Sequence, residues 1–274
     1  MIADGLPVLY AMFLWWFGTG ALLWLDRQPA HTFRWSMTGA SALAALALWG
    51  LFATRGIASP LTAYVAFSCG IAVWAWQEMA FLLGYVTGPR RHACHAGCGG
   101  LRHFRHGVLA VLYHELALLS VGALVVALCW GTPNPVGAWT FLALYGMRQS
   151  AKLNLFFGVR NVGDEFMPPH LQYLKSYFRR KPMNLLFPVS VTLATAAATW
   201  LALGMLSTPD PAERTGMLLV LTLLCLGILE HWFMVLPISV DAMWRWSLGS
   251  PRHHPPGTGG PDGDSTARER LQSV

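Results

Sequence analysis

Apolar residues run along this chain in long stretches that few charged residues interrupt. Seven stretches approach spanning length, at about 6–25, 34–54, 61–86, 105–130, 136–158, 185–206 and 216–238. A helix needs about 20 such residues to cross a bilayer. The pattern predicts an all-α membrane protein with about seven transmembrane helices, in which residues 1–248 form one polytopic transmembrane domain.

Composition supports the same class. Hydrophobic residues make up 54% of the 274 residues and charged residues 12%, whereas a soluble domain has about 25% charged residues. The formal net charge of +6 could indicate a nucleic-acid partner in a soluble protein. Here the positions of the charges in loops explain it better, and the sequence contains no nucleic-acid-binding motif.

The basic residues alternate between successive loops, and this alternation predicts an orientation. The basic loops and flanks carry Arg27, Arg34, Arg90, Arg91, Arg102, Arg105, Arg160, Lys175, Arg179, Arg180, Lys181, Arg245 and Arg252. By the positive-inside rule these positions are cytoplasmic, so we expect a periplasmic N-terminus and a cytoplasmic C-terminus. Residues 249–274, rich in Gly, Pro and polar residues, are predicted to form a disordered cytoplasmic tail.

The loop 161–184 is predicted to contain one interfacial cytoplasmic helix that contacts membrane lipid. Pro168 and Pro169 suit a helix start, and Leu171, Leu174 and Phe178 would share one face. Such a helix lies in the plane of the membrane surface. Its polar positions are Glu165, His170, Lys175, Arg179 and Arg180.

Polar residues interrupt four of the apolar stretches. They are Gln77, Glu78, His114, Glu115, Arg148, Lys152, Asn154, Glu230 and His231. Ionisable side chains at membrane depth cost several kcal/mol unless they are paired. The predicted orientation places all four groups in the cytoplasmic half of the bilayer, so we expect them to form one polar cluster.

Three interpretations of this cluster remain open. A charge network could simply hold the helices together, because Arg148 and Lys152 share a face and could neutralise the carboxylates. A di-iron site could use Glu78, His114, Glu115, Glu230 and His231, although adjacent His and Glu lie about 100° apart on a helix. His114 or His231 could instead ligate the central metal of a tetrapyrrole pigment.

The predicted loop 87–106 contains Cys94 and Cys98 together with His92, His95, His103 and His106. Thiolates and neutral imidazoles at this density could bind zinc. The Cys-x3-Cys spacing has no second pair at ligand distance, so the alternative is a basic loop that touches anionic lipid head groups.

Several stretches together resemble one family. They include WQEMAFLLGYVTGP at 76–89, LYHEL at 112–116 and NLFFGVRN at 154–161, followed by similar stretches at 165–178, 182–184 and 229–237. On these residues the chain resembles the PuhE-type photosynthetic complex assembly protein family of purple and related phototrophic bacteria. The resemblance runs from about residue 6 to 248 and does not extend to residues 95–100.

The resemblance implies a multi-pass protein of the bacterial inner (intracytoplasmic) membrane, encoded near the reaction-centre H subunit. It implies a factor for photosynthetic complex assembly or bacteriochlorophyll supply that handles pigment or nascent subunits. The implied partners are reaction-centre or light-harvesting subunits or pigment-biosynthesis enzymes, and the implied ligand is bacteriochlorophyll or a precursor. The alternative function is a membrane di-iron oxidoreductase acting on a tetrapyrrole or polyisoprenoid.

Overall fold

The computed structural model describes residues 2–95, 97–163 and 167–237, and within these ranges the regular structure is helical, without a strand. The long helices are α1 Ile2–Leu25, α2 Phe33–Thr54, α3 Pro60–Leu82, α4 Gly100–Cys129, α5 Val136–Phe157, α6 Leu186–Ser207 and α7 Pro211–Val235. A short 3₁₀ turn, Ala30–Thr32, precedes α2, and a 3₁₀ helix, Pro169–Tyr177, lies between α5 and α6. The all-helical prediction is confirmed.

Six of these helices are long and apolar enough to cross a membrane, namely α1, α2, α3, α4, α6 and α7. The remaining long helix, α5, carries Arg148 and Lys152 in its second half, which lowers its hydropathy. The membrane character of the chain is therefore confirmed. The seventh span stays a prediction that depends on how the charges of α5 are neutralised.

Helix α3 is the centre of the bundle, and α6 lies at its edge. α3 contacts α1, α2, α4, α5 and α7, and 56% of its most apolar segment is buried, compared with 11% for α6. Phe67 and Val73 of α3 are fully buried in the main core, next to Phe141 of α5. The side chains of α3 are thus more completely enclosed by neighbouring helices than those of α6.

The starts of α3 and α7 are fixed by residues that satisfy free backbone amides. Ser59 and Thr62 form a capping box at α3, in which each side chain bonds the backbone N–H of the other. At α7 the Asp210 carboxylate accepts hydrogen bonds from the amides of Ala212 and Glu213. Pro60 and Pro211 follow these caps, where a missing N–H costs nothing.

Small residues let the helices approach closely. A Cβ at Gly137 of α5 would lie 2.2 Å from a Leu51 methyl group of α2, and one at Gly70 of α3 would lie 3.0 Å from the Gly137 carbonyl. Membrane helices pack through such small residues, because lipid tails are as apolar as the side chains and close contact supplies the attraction.

The two ends of the bundle differ. The end with the 26–32, 83–99 and 158–185 connections is called the basic end, since most of the loop arginines and lysines lie there. At the opposite end the loops are short and tied, for example by Asn134, whose amide donates to the Thr54 and Thr62 carbonyls. Helix α4 has 30 residues, about 45 Å at 1.5 Å per residue. It therefore exceeds an apolar layer of about 30 Å, and its first turns project at the basic end.

The 161–184 connection differs from its prediction. An α-helical face of Leu171, Leu174 and Phe178 was expected, but the segment forms a 3₁₀ helix whose buried residues are Leu171, Leu174 and Tyr177. The 3₁₀ period of three residues replaces the α period of 3.6, which moves the third position by one residue. This helix packs against Phe81 and Ala110 as a small second core.

Other predicted positions are shifted or lie outside the described residues. α3 ends at Leu82 and α4 begins at Gly100, so the 87–106 loop prediction was too long at its C-terminal side. His170 and Lys175 belong to the 3₁₀ helix, and Arg179 and Arg180 follow it. The prediction for Glu165 and that for the 249–274 tail fall outside the described ranges.

Candidate functional site

Five ionisable residues form a compact group between α3, α4 and α5, here called the ion cluster: Glu78, His114, Glu115, Arg148 and Lys152. Glu78 and His114 are buried, and the other three are partly buried. At its centre the Arg148 guanidinium donates to Glu78 Oε2 at 2.9 Å, and the Glu78 side chain is only 8% exposed. His114 Nε2 lies 3.7 Å from Glu78 Oε1, beyond ordinary hydrogen-bond distance. Arg148 thus supplies the main neutralising charge for Glu78.

Glu115 faces away from Glu78 and has its own partners. Lys152 Nζ donates to Glu115 Oε1 at 2.6 Å, and Gln149 Nε2 donates to the other carboxylate oxygen. His114 and Glu115, adjacent in sequence, therefore serve different sides of α4, as an angle of about 100° between successive helical residues requires. Gln149 was not among the sequence candidates.

His114 is completely enclosed. Its exposed fraction is 0%, its ring centroid lies 4.5 Å from that of Phe81, and its backbone N–H donates to the Thr87 carbonyl at 2.9 Å. Gly88 makes this contact possible, since a Cβ there would lie 2.2 Å from the Leu109 carbonyl oxygen of α4. A pigment macrocycle has no free space beside this imidazole.

Glu230 lies apart from the ion cluster on the outer surface of α7. Its Oε1 accepts a hydrogen bond from the Trp15 indole of α1 at 2.9 Å. Arg148 is close enough to act electrostatically on Glu230 as well as on Glu78. Arg148 therefore attracts both carboxylates, although Glu78 and Glu230 do not lie together in one site.

His231 pairs with Ser150 between α7 and α5. Its Nδ1 lies 2.8 Å from the Gly227 carbonyl oxygen, and its Nε2 lies 2.8 Å from Ser150 Oγ. A carbonyl can only accept, so Nδ1 carries the proton and Nε2 accepts from the Ser150 hydroxyl. This is the tautomer of a metal-ligating histidine, whose second nitrogen usually donates to a carbonyl or carboxylate.

Asn154 connects α5 to the start of α6. Its side chain donates to Ser190 Oγ at 3.1 Å, and Asn184 Nδ2 donates to Asn154 Oδ1 at 3.0 Å. Asn184 Oδ1 in turn accepts from the Leu186 amide at 2.8 Å. Asn154 and Asn184 therefore join the end of α5 to the start of α6 by hydrogen bonds.

Gln77, the remaining predicted member of the polar cluster, is buried in α3.

The proposed di-iron ligands do not converge. In the described part of the chain, no three of Glu78, His114, Glu115, Glu230 and His231 bring their ligand atoms within 4.8 Å of one another. Arg148 and Lys152 also occupy carboxylate oxygens that a cation would need. This donor set does not fit a di-iron centre.

A groove runs along the bundle between α5, α6 and α7, with a volume of about 890 Å³. It extends from Asn134 and Glu213 at the opposite end to Ser150 and Leu186 nearer the basic end, and its lining is mainly apolar. Trp139 and Leu193 line it and are also exposed on the bundle surface. The groove is therefore open to the lipid side. Ser150 lines it, whereas its partner His231 lies behind Ser150 and is 1% exposed.

Sequence reasoning missed Ser150, Gln149, Asn184 and Trp15 as partners of the polar cluster. Uncharged polar residues and tryptophans are common in membrane helices, so none of them stands out alone. The available signal was spacing, because Ser150 and Asn154 are four residues apart and share a face of α5.

The described fold defines a class: an all-helical, membrane-type protein with polar side chains buried between its helices. Within this class the chain belongs to the family described as a protein of unknown function, DUF3623, whose model matches residues 1–254. It is 39% identical over 250 residues to a protein of Rhodobacter capsulatus, covering 89% of this chain and 91% of that relative. That relative is named an uncharacterized 30.4 kDa protein in the puhA 5′ region. No solved structure matches.

Proposed function

We propose that this protein is a PuhE-type factor of the bacterial inner (intracytoplasmic) membrane that holds a tetrapyrrole pigment during assembly of photosynthetic complexes. The ligand class is bacteriochlorophyll or a precursor. The partners are reaction-centre or light-harvesting subunits, or the enzymes that deliver pigment. The position of the R. capsulatus relative beside puhA supports the photosynthetic context.

The single observation that carries the pigment assignment is the groove between α5, α6 and α7. Its volume of about 890 Å³ lies within the range of roughly 300–1,000 Å³ that is typical of small-molecule sites. A flat, largely apolar ring with a long apolar tail suits an elongated apolar groove that is open to lipid. The ligand could then enter and leave sideways without crossing water.

The Ser150–His231 pair supplies the polar contact that such a ligand needs. Because the Ser150 hydroxyl donates to His231 Nε2, the oxygen of Ser150 keeps lone pairs for a second partner. A central metal could bind this oxygen, or the Nε2 lone pair after the Ser150 side chain rotates. Both imidazoles are buried, but the Ser150 partner of His231 lines the groove, so His231 is the favoured pigment-ligand candidate over His114.

The proposed orientation uses seven spans, with a periplasmic N-terminus. Under it α5 spans the membrane because Glu78 and Glu115 neutralise its two cations, Arg148 and Lys152. The basic end then lies in the cytoplasm, where the 169–177 helix and its basic neighbours meet anionic lipid.

A pair of glycine substitutions tests the groove. Gly146 and Gly39 are exposed helical glycines, and a Cβ at either meets no atom within 4 Å. Only Gly146 lines the groove. We expect Gly146→Trp to lower the affinity for bacteriochlorophyll by at least about tenfold, while Gly39→Trp leaves it unchanged. The measurement is an absorbance titration of the detergent-purified protein.

Equal affinity of both variants would contradict a site in this groove. Absence of binding by the unaltered protein, together with absence of pigment in protein isolated from a phototroph, would overturn the pigment assignment itself.

A further inference from the structure

The connection between α3 and α4 is folded back onto the basic end and fixed there. The Cys94 backbone N–H donates to Ser176 Oγ at 2.8 Å, and Arg90 Nε donates to the Tyr177 hydroxyl at 2.8 Å. That hydroxyl donates in turn to the His92 carbonyl at 2.9 Å. The loop is thus held against the 169–177 helix, and Cys94 packs on the second core beneath it.

This arrangement brings three strong metal ligands together: Cys94, Cys98 and His106. His106 Nδ1 lies 3.6 Å from Cys94 Sγ and 3.4 Å from Cys98 Sγ. The three ligand atoms all lie within 4.8 Å of one another. In a tetrahedral zinc site, bonds of about 2.3 Å to sulfur and about 2.0 Å to nitrogen separate neighbouring ligand atoms by about 3.6 Å. The observed spacings therefore fit one small ion.

The local backbone explains how the three ligands meet. The Cys98 backbone N–H donates to the His95 carbonyl at 3.1 Å, which closes a turn between the two cysteines. Gly97 and Gly100 take positive φ values of 80° and 56°, which glycine adopts without a steric penalty. They turn the chain into α4 so that His106 points back at the sulfurs from one and a half turns along the helix.

Nδ1 of a neutral imidazole has one lone pair or one proton, so it bonds only one sulfur at a time, although both sulfurs lie beside it. One bound cation can instead contact all three ligand atoms at once, and it stabilises the thiolate form of both cysteines.

We propose that Cys94, Cys98 and His106 bind one zinc-type ion at the basic end, outside the apolar layer. Two thiolates and one imidazole are ligands that zinc prefers over calcium or magnesium. Among the described residues only these three ligands come together, and the neighbouring His95 and Gly97 are exposed, so a water molecule supplies the fourth ligand. The ion ties the 83–99 connection to α4 and thereby covers the second core. This site is independent of the pigment groove.

Metal analysis of the purified full-length protein tests the proposal. We expect about one zinc per chain after equilibration with Zn²⁺ and removal of the excess. Substitution by Co²⁺ should give the intense near-ultraviolet thiolate-to-cobalt bands and the visible bands of a tetrahedral site. Cys98→Ser and His106→Leu should each lower the Zn²⁺ affinity at least about tenfold.

Cys225→Ser is the matched control, because Cys225 is an exposed cysteine in the middle of α7, far along the chain from the site. It should retain the full zinc content. Equal zinc content in Cys98→Ser and the unaltered protein would overturn the proposal, as would a Cys94–Cys98 disulfide in protein alkylated at the moment of lysis. If Cys98→Ser fails to fold, the cobalt spectrum of the unaltered protein decides, since octahedral bands without thiolate transitions would equally overturn it.

Removal of zinc by a chelator separates this proposal from the proposed function. Chelation should lower the unfolding temperature of the protein but leave the bacteriochlorophyll titration unchanged. If chelation leaves the unfolding temperature unchanged, the proposal that the ion ties the loop to α4 is wrong.

Discussion

The ion cluster and the Ser150–His231 pair both lie between helices of the bundle, but they differ in charge and in access. In the ion cluster Arg148 neutralises Glu78 and Lys152 neutralises Glu115, and none of the five side chains lines the groove. The Ser150–His231 pair is neutral, and Ser150 lines a groove. The charged residues of these helices pair with one another, whereas the uncharged Ser150 lines the groove.

The physical reason for this difference is the cost of an unpaired charge. A carboxylate at membrane depth is costly unless a cation pairs with it. Glu78 and Glu115 are therefore bound to the cations of α5 and are not available to another ligand. A serine–histidine hydrogen bond is worth about 1 kcal/mol. It can be opened by a ligand at small cost, which is what a transient carrier needs.

The largest expected effect comes from removing the central cation. Arg148→Met leaves the Glu78 carboxylate buried without its cation. Breaking a fully buried ion pair costs about 3–5 kcal/mol, but the Arg148 side chain is 40% exposed, so solvent screening lowers the cost to about 2 kcal/mol. We expect a corresponding loss in the free energy of unfolding, measured by denaturant titration in detergent micelles.

The double variant Arg148→Met with Glu78→Gln controls for the loss of the arginine side chain itself. It should recover more than half of the loss, because the uncompensated charge is gone. If the double variant loses as much stability as Arg148→Met and Glu78→Gln lose together as single variants, the pair does not stabilise the bundle.

An intermediate effect should separate the two histidines. His231→Leu removes the acceptor of Ser150 and should lower bacteriochlorophyll affinity about tenfold, equivalent to about 1.4 kcal/mol. His114→Leu should leave that affinity unchanged, since His114 lies beside Glu78 of α3 and does not line the groove between α5, α6 and α7. Both are read from the same absorbance titration, with stability measured in parallel.

The two histidine variants form a matched pair, because each replaces a buried imidazole with a side chain of similar volume. A result in which His114→Leu abolishes binding and His231→Leu does not would reverse the comparison and move the pigment site to α4.

The smallest effect is expected for Lys152→Met. Glu115 keeps its hydrogen bond from Gln149 in this variant, and its side chain is 20% exposed, compared with 8% for that of Glu78. We expect a loss of at most about 1 kcal/mol, measured under the same conditions as for Arg148→Met. A loss as large as that of Arg148→Met would show that the two ion pairs act as one network.

Much of the fold could be predicted because a membrane-spanning helix requires a continuous apolar stretch, which is visible in the sequence. Apolar stretches of about 20 residues mark helices wherever they occur, and the long helices of the structure follow these stretches closely. The boundaries were less predictable, since α4 begins with polar turns from Gly100 onwards and hydropathy alone assigned them to a loop. The 169–177 helix was misjudged in period, because its proline start favours a helix without specifying its type.

The polar residues of the spans were also visible in the sequence, but their pairing was not. Residues on different helices meet according to helix rotation and depth, so nothing local indicates that Glu78 pairs with Arg148 whereas Glu230 pairs with Trp15. The approach of His106 to Cys94 and Cys98 is similar, since the histidine lies within α4 and the cysteines in the loop before it.

The sequence by itself determined the class of this protein, its helical elements and the polar residues that needed partners, because these depend on composition and local periodicity. Only the tertiary structure decided which partners they found, that the groove lies between α5, α6 and α7, and that three ligands meet at the basic end. Those features depend on distances between segments far apart in the chain, which helix packing alone fixes.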